Sequence, residues 1–175
     1  MEKIMKKISI ISIVLTIAFY CLYQSISNEI VFSLIITFAT ISYHFVIRLM
    51  VGGAFGFWMK NKADYRKSWF CVSDKELNFY KKINVKKWKK KMPTYNKDTF
   101  DIKKHTWDEI VQATCQSELV HEVNVVVSFF PIIAGVWVGA IEVFVITSAL
   151  SAMFDLLFVF MQRFNRSRIL KVLRK

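Results

Sequence analysis

The run "VHEVNVVVSFFPIIAGVWVGAIEVFVITSALSAMFDLLFVFM", residues 120–161, decides the fold. It carries four ionisable side chains: His121 and Glu122 at its start, Glu142 and Asp155 further in. One crossing of a bilayer needs about 20 apolar residues, and this run has about twice that. It therefore reads as two crossings, with the turn at "GVWVGAIE", Gly135 to Glu142. Pro131 removes a backbone donor and predicts a kink in the first crossing.

Working outward, Ile8 to Ile26 holds no charge. At about 1.5 Å per residue it is about 28 Å long, close to a bilayer core. The leader "MEKIMKK" also suits a cleaved signal peptide. A long bulky run, a poor cleavage site at Ser25-Ile-Ser27 and a second apolar run directly after it favour a retained span. Residues 30–55 form that second run, interrupted by His44 and Arg48. The expected fold is an all-α integral membrane domain. It has four transmembrane helices, at about 8–26, 30–55, 120–137 and 142–162, with a basic, partly helical segment at 57–118.

Composition agrees. The chain of 175 residues is 54% hydrophobic yet carries a net charge of +12. Apolar spans for lipid and basic segments for water and headgroups reconcile the two. Of 25 Lys and Arg, 24 fall before the first span, in 57–118 or after Met161; Arg48 is the exception. The opposite loops carry acids and no bases. The positive-inside rule then predicts a multi-pass protein of the bacterial cell membrane with both termini cytoplasmic. The three cysteines, Cys21, Cys71 and Cys115, are scattered, with no CxxC and no Cys/His cluster, so neither a disulfide framework nor a metal site is expected.

In the basic segment, "SDKELNFYKKI" spaces Glu76, Phe79, Tyr80 and Ile83 as an amphipathic helix capped by Ser73. The following "KKINVKKWKKKMP" sets seven lysines around Trp88. In a membrane protein this fits anionic headgroups with Trp at the interface better than nucleic acid, and it is compatible with holding a polyphosphate such as that of coenzyme A. Thr106 followed by Glu109 forms a capping box, so a helix starts near Trp107 and runs into span three.

Ionisable groups inside spans are costly and need partners. Thr37, Thr40, His44 and Arg48 share one face of span two. Arg48 and Asp155 each lie seven residues from the predicted cytoplasmic end, at about 10 Å depth, and are expected to pair. "SELVHE" puts Glu118 and His121 three apart on one helix face. A His beside a carboxylate can act as a general base, which makes His121, oriented by Glu118, the candidate catalytic pair. Span four ends in "QRFNRSR", and clustered Arg can hold phosphate or an oxyanion.

Three blocks, "YKKINVKKWKKKMP", "SELVH" and "QRFNRSRIL", resemble the bacterial glycosyl-4,4'-diaponeurosporenoate acyltransferase family, small membrane proteins of carotenoid pigment synthesis. The family pattern has a Trp-Lys pair after a Tyr-containing helix, an Ala-Glu-x-x-His block and a Gln-Arg-Tyr-Asn-Arg-Pro-Arg block. The resemblance covers about residues 65–175. Trp88 and Lys89 match the first block and Glu118 and His121 the second. Gln162, Arg163, Asn165, Arg166 and Arg168 match the third. Ser117, Phe164 and Ser167 depart from its Ala, Tyr and Pro. The resemblance implies acyl transfer, with acyl-CoA as co-substrate and no other cofactor, to a hydroxyl of a glycolipid or carotenoid-like acceptor. Membrane lipids are the further partners and nucleic acid is not one. On this reading Trp88, Lys89, Gln162, Arg163, Asn165, Arg166 and Arg168 bind substrate, with Arg163, Arg166 or Arg168 on donor phosphates or the oxyanion. The sequence splits its C-terminal stretch into a site-forming part, residues 162–168, and a headgroup-binding tail that includes Arg174 and Lys175. Two other classes fit the same topology: a non-enzymatic lipid-binding scaffold, and another enzyme acting on an isoprenoid or lipid.

Overall fold

The computed structural model describes residues 2–93 and 98–173; Arg174 and Lys175 of the expected tail lie outside them. The described residues are helical, with no strand. Four helical stretches are long and apolar enough to cross a membrane: Glu2–Ile26, Glu29–Met59, Trp107–Val138 and Ile141–Leu173.

α1 (Glu2–Ile26) and α2 (Glu29–Met59) form an antiparallel hairpin. Ser27 takes a positive φ of 48°, and the Asn28 side chain then caps α2 by accepting from the Ile30 amide at 2.8 Å. Phe19 stacks on Phe38 across the pair, ring centroids 5.6 Å apart. α2 ends in two left-handed residues, Lys60 and Asn61. The Asn61 amide donates to Gln116 Oε1 at 2.6 Å, tying this exit to the third stretch.

Two short helices follow, α3 (Asp74–Lys82) and α4 (Val85–Trp88). Ser73 caps α3 by accepting from the Glu76 amide, as its sequence position predicts. Leu77, Tyr80 and Val85 bury themselves on Phe164, with Trp88 and Phe160 packed around them. This small core fastens the basic segment to the end of the bundle. The expected amphipathic helix is therefore present, with Tyr80 buried and Phe79 exposed.

α5 (Trp107–Val127) opens with the predicted Thr106–Glu109 capping box. At Pro131 the structure goes further than a kink. α5 stops at Val127 and α6 (Pro131–Val138) restarts with the proline in its first turn. A proline cannot donate to the carbonyl four residues back, and its ring crowds that carbonyl. Val127 O is taken instead by the Tyr43 hydroxyl at 2.7 Å and by the Phe130 amide at 3.2 Å. Gly139 and Ala140, both at positive φ, make the turn into α7 (Ile141–Leu173), inside the predicted Gly135–Glu142 turn.

α7 continues past residue 162 as one helix to Leu173. With Ser167 where the family pattern has Pro, neither Gly nor Pro interrupts it. α5 packs along α7, α1 along α2, and α2 joins the α5–α7 pair. Within the α2 stripe, Thr40 and His44 are buried as expected, whereas Thr37 is exposed and bonds to Ser33 O of its own helix.

Candidate active site

Asp155 of α7 is 1% exposed, and it receives a group from each of two helices, α2 and α5. Arg48 of α2 places Nη2 2.5 Å from Asp155 Oδ2, the predicted ion pair. His121 of α5 places Nδ1 2.8 Å from Asp155 Oδ1. The imidazole lies flat on Phe158, centroids 4.5 Å apart, which fixes the ring plane. About 20% of the His121 side chain stays exposed while the carboxylate behind it does not. A carboxylate that accepts from Nδ1–H selects the tautomer in which Nε2 is the free acceptor. The result is a buried acid, a charge-neutralising guanidinium and an imidazole presented outward.

The polar chain continues inward. Arg48 Nη2 also reaches Ser151 Oγ at 2.6 Å, and Ser151 Oγ lies 3.0 Å from His44 Nδ1 and 3.1 Å from Ser128 Oγ. Ser128 and Ser151 were missed in the sequence. Ser151 sits four residues before Asp155 on the same face, a spacing that could have flagged it. Two grooves elsewhere do not include His121: an apolar one lined by Ile13, Ile17 and Tyr43, and a polar one lined by Lys62, Tyr65 and Asp108.

Glu118 does not orient His121, which corrects the expected pairing. Its carboxylate is fully buried and faces two arginines of α7. Arg163 Nη1 lies 2.5 Å from Oε1 and Arg166 Nη1 2.5 Å from Oε2. Two guanidinium cations outcompete an imidazole one turn away for a buried carboxylate. The Arg166 contact is one of charges, without hydrogen-bond alignment. Arg166 Nε donates to Phe70 O at 3.0 Å.

Arg163 is likewise committed. It donates to Glu76 through Nε at 2.5 Å and Nη2 at 3.1 Å, and to the carbonyls of Trp69 and Cys71 at 2.9 and 3.0 Å. Burial alone would raise the Glu76 carboxyl; hydrogen bonds from Arg163 and Tyr80 hold it below the usual carboxylate range. Burial, then the bond to Glu76, pushes the Tyr80 hydroxyl up. Arg163 and Arg166 thus clamp the segment around residues 69–76 onto α5 and α7, the donors of Arg163 taken by protein groups and Arg166 held by its Nε bond and the Glu118 charge.

The remaining predicted site residues fall in two places. Gln162 is buried and donates to Ser117 Oγ at 3.0 Å, linking α7 to α5. Trp88 donates to Ile83 O at 3.1 Å and packs on the small core. Lys89 meets Asn165, its ammonium donating to Asn165 Oδ1. Lys89 and Arg168 both lie over the Phe164 ring, at 5.3 and 5.9 Å from its centroid. The first and third blocks of the sequence are therefore in contact, about 15 Å along α7 from Asp155 at the helical rise. Among the described residues, no group of three or more His, Cys, Asp or Glu could hold a metal ion.

Residues 61–175 match the family model described as glycosyl-4,4'-diaponeurosporenoate acyltransferase. The chain belongs to that family. No curated protein and no solved structure matches it at a significant level. All three quoted blocks lie inside the matched stretch, and so do His121 and Asp155. His44 and Arg48 lie outside it, on α2.

Proposed function

We propose that this family member moves a fatty-acyl group from a thioester donor such as acyl-CoA to a hydroxyl of a membrane glycolipid. The observation that carries the reading is the His121–Asp155 contact of 2.8 Å, with Asp155 neutralised by Arg48 and His121 partly exposed. His121 Nε2 takes the proton of the acceptor hydroxyl as that oxygen attacks the thioester carbonyl. The C–O bond forms, the C–S bond breaks, and the proton passes to the departing thiolate. Asp155 holds the tautomer and stabilises the imidazolium that forms in between. Arg48 sits on the other carboxylate oxygen, 2.5 Å away, and holds Asp155 in place against His121.

The basic end of the bundle faces the cytoplasm on this reading, in keeping with the positive-inside bias. A site near that end meets a water-borne donor on one side and a lipid acceptor on the other. His121→Ala should abolish transfer, a loss of about a hundredfold or more for a missing general base. The variant should keep the wild-type circular-dichroism spectrum and detergent stability. Wild-type turnover by purified His121→Ala would remove the base assignment. Mass spectrometry of lipids from cells with and without the protein tests the class: an acylated glycolipid should disappear with it.

A further inference from the structure

We infer that Lys89 and Arg168, held over Phe164, form the phosphate-binding locus of this protein. Three arginines of α7 offered themselves in the sequence, and the structure separates them. Arg163 spends its donors on Glu76, Glu118 and two carbonyls. Arg166 is fully buried against Glu118 and Phe70. Arg168 is exposed and has no carboxylate partner among the described residues.

Lys89 is the second half of the locus. It is only partly exposed, yet among the described residues no acid pairs with it; its ammonium donates to the neutral Asn165 amide. Burial first, and then the like charges of Arg168, Lys86 and Lys90, push its ammonium below the usual lysine range. Several cations uncompensated among the described residues thus converge, two of them against one aromatic ring and one of them partly desolvated. Unpaired cations brought together this way cost free energy until an anion joins them. Aromatic faces preorganise the two side chains, so less rotamer freedom is lost when the anion binds. Arg supplies a planar fork and Lys a point charge, a combination suited to a phosphoryl group.

The ligand chemistry is a phosphate ester. It could come from the nucleotide end of an acyl donor in water or from a phospholipid headgroup. The donor alternative rests on the acyl-transfer reading; the binding itself does not. The distance of about 15 Å along α7 between Asn165 and Asp155 suits a ligand with a long arm between phosphate and reacting carbonyl.

The test uses full-length protein in an uncharged detergent and two probes, unacylated coenzyme A and phosphatidylglycerol, with phosphatidylcholine as the control lipid. Calorimetry measures the first and native mass spectrometry the second. The double variant Lys89→Gln, Arg168→Gln should lose about tenfold or more in affinity for one probe, the scale of a lost charge-assisted contact. The charge-keeping pair Lys89→Arg, Arg168→Lys should retain most of it. A loss confined to coenzyme A assigns the locus to the donor; a loss confined to phosphatidylglycerol assigns it to a headgroup. Unchanged affinity of the Gln pair for both probes would overturn the proposal. Should the double variant fold poorly, the single change Arg168→Gln at an exposed position carries the same test. Neither probe carries a thioester, so binding is read without turnover, and failure of the His121 assignment and failure of this one are read separately.

Discussion

One carboxylate, that of Asp155, organises the interior, and its partners come from two other helices. Its pairing with Arg48 was legible because both residues sit at the same depth, and depth is a one-dimensional property that counting along a chain supplies. Its pairing with His121 was not. That contact depends on how α5 is rotated against α7, and sequence spacing offers Glu118, one turn back on the same helix, instead. The rotation turns Glu118 to the arginines of α7 and leaves His121 to the buried acid. Removing Arg48 from its ion pair strands the Asp155 charge, at a cost of about 3–5 kcal/mol. Arg48→Met should therefore destabilise the protein by roughly that amount in a denaturation series. Arg48→Met with Asp155→Leu should restore most of the stability and none of the transfer activity. An active double variant would show that Asp155 serves the fold alone.

Among the elements, the caps of α3 and α5 were readable in full, because Ser73 and Thr106 bond to amides three residues away. The break at Pro131 was readable only in part. Proline chemistry gives the interruption, but whether a helix bends or restarts depends on who takes the freed carbonyl. Here Tyr43 of α2 does so. Tyr43→Phe should loosen the α2–α5 contact by about 0.6 kcal/mol, the mean for hydrogen bonds between membrane helices. A larger effect is expected one turn on. A side chain at Gly135 would meet the Phe144 ring at 2.8 Å, so Gly135 is what lets α6 lie against α7. Gly135→Leu should cost about 1–3 kcal/mol by overpacking, while Gly52→Ala, with nothing within 4 Å of the added atom, should cost no packing at all. Thermal unfolding in detergent would read both.

For the molecule as a whole, the four apolar stretches were legible, since composition survives any ignorance of packing. The division of labour within the C-terminal Arg block was not. A charge count cannot say which cations are already paired, and Arg163 and Arg166 turn out to fasten the segment around Glu76 to the bundle. That fastening has a pH signature. Glu76 is held below its ordinary range, so its contribution is fully present above the unfolded value near 4.3 and is lost as pH falls through the lower folded value. Acid should release α3 before the long helices. Hydrogen exchange, corrected for the intrinsic rate, should show residues 74–82 losing protection below about pH 4. Glu76→Gln should be weakly protected there at every pH. Equal protection of α3 in wild type and variant across that range would place the fastening elsewhere.

The Arg48–Asp155 bridge also crosses the boundary of the family match, which begins at residue 61. The matched stretch supplies the anion, and a helix outside it supplies the cation. The two halves of this chain are therefore not exchangeable as modules. A chimaera that keeps α5–α7 and takes its first hairpin from a relative inherits a buried anion, and it needs a cation at the level of Arg48 to survive. Relatives that keep an acid at the place of Asp155 should carry such a cation in their own first hairpin, at whatever position brings it to the same depth, and those that have lost one should have lost both.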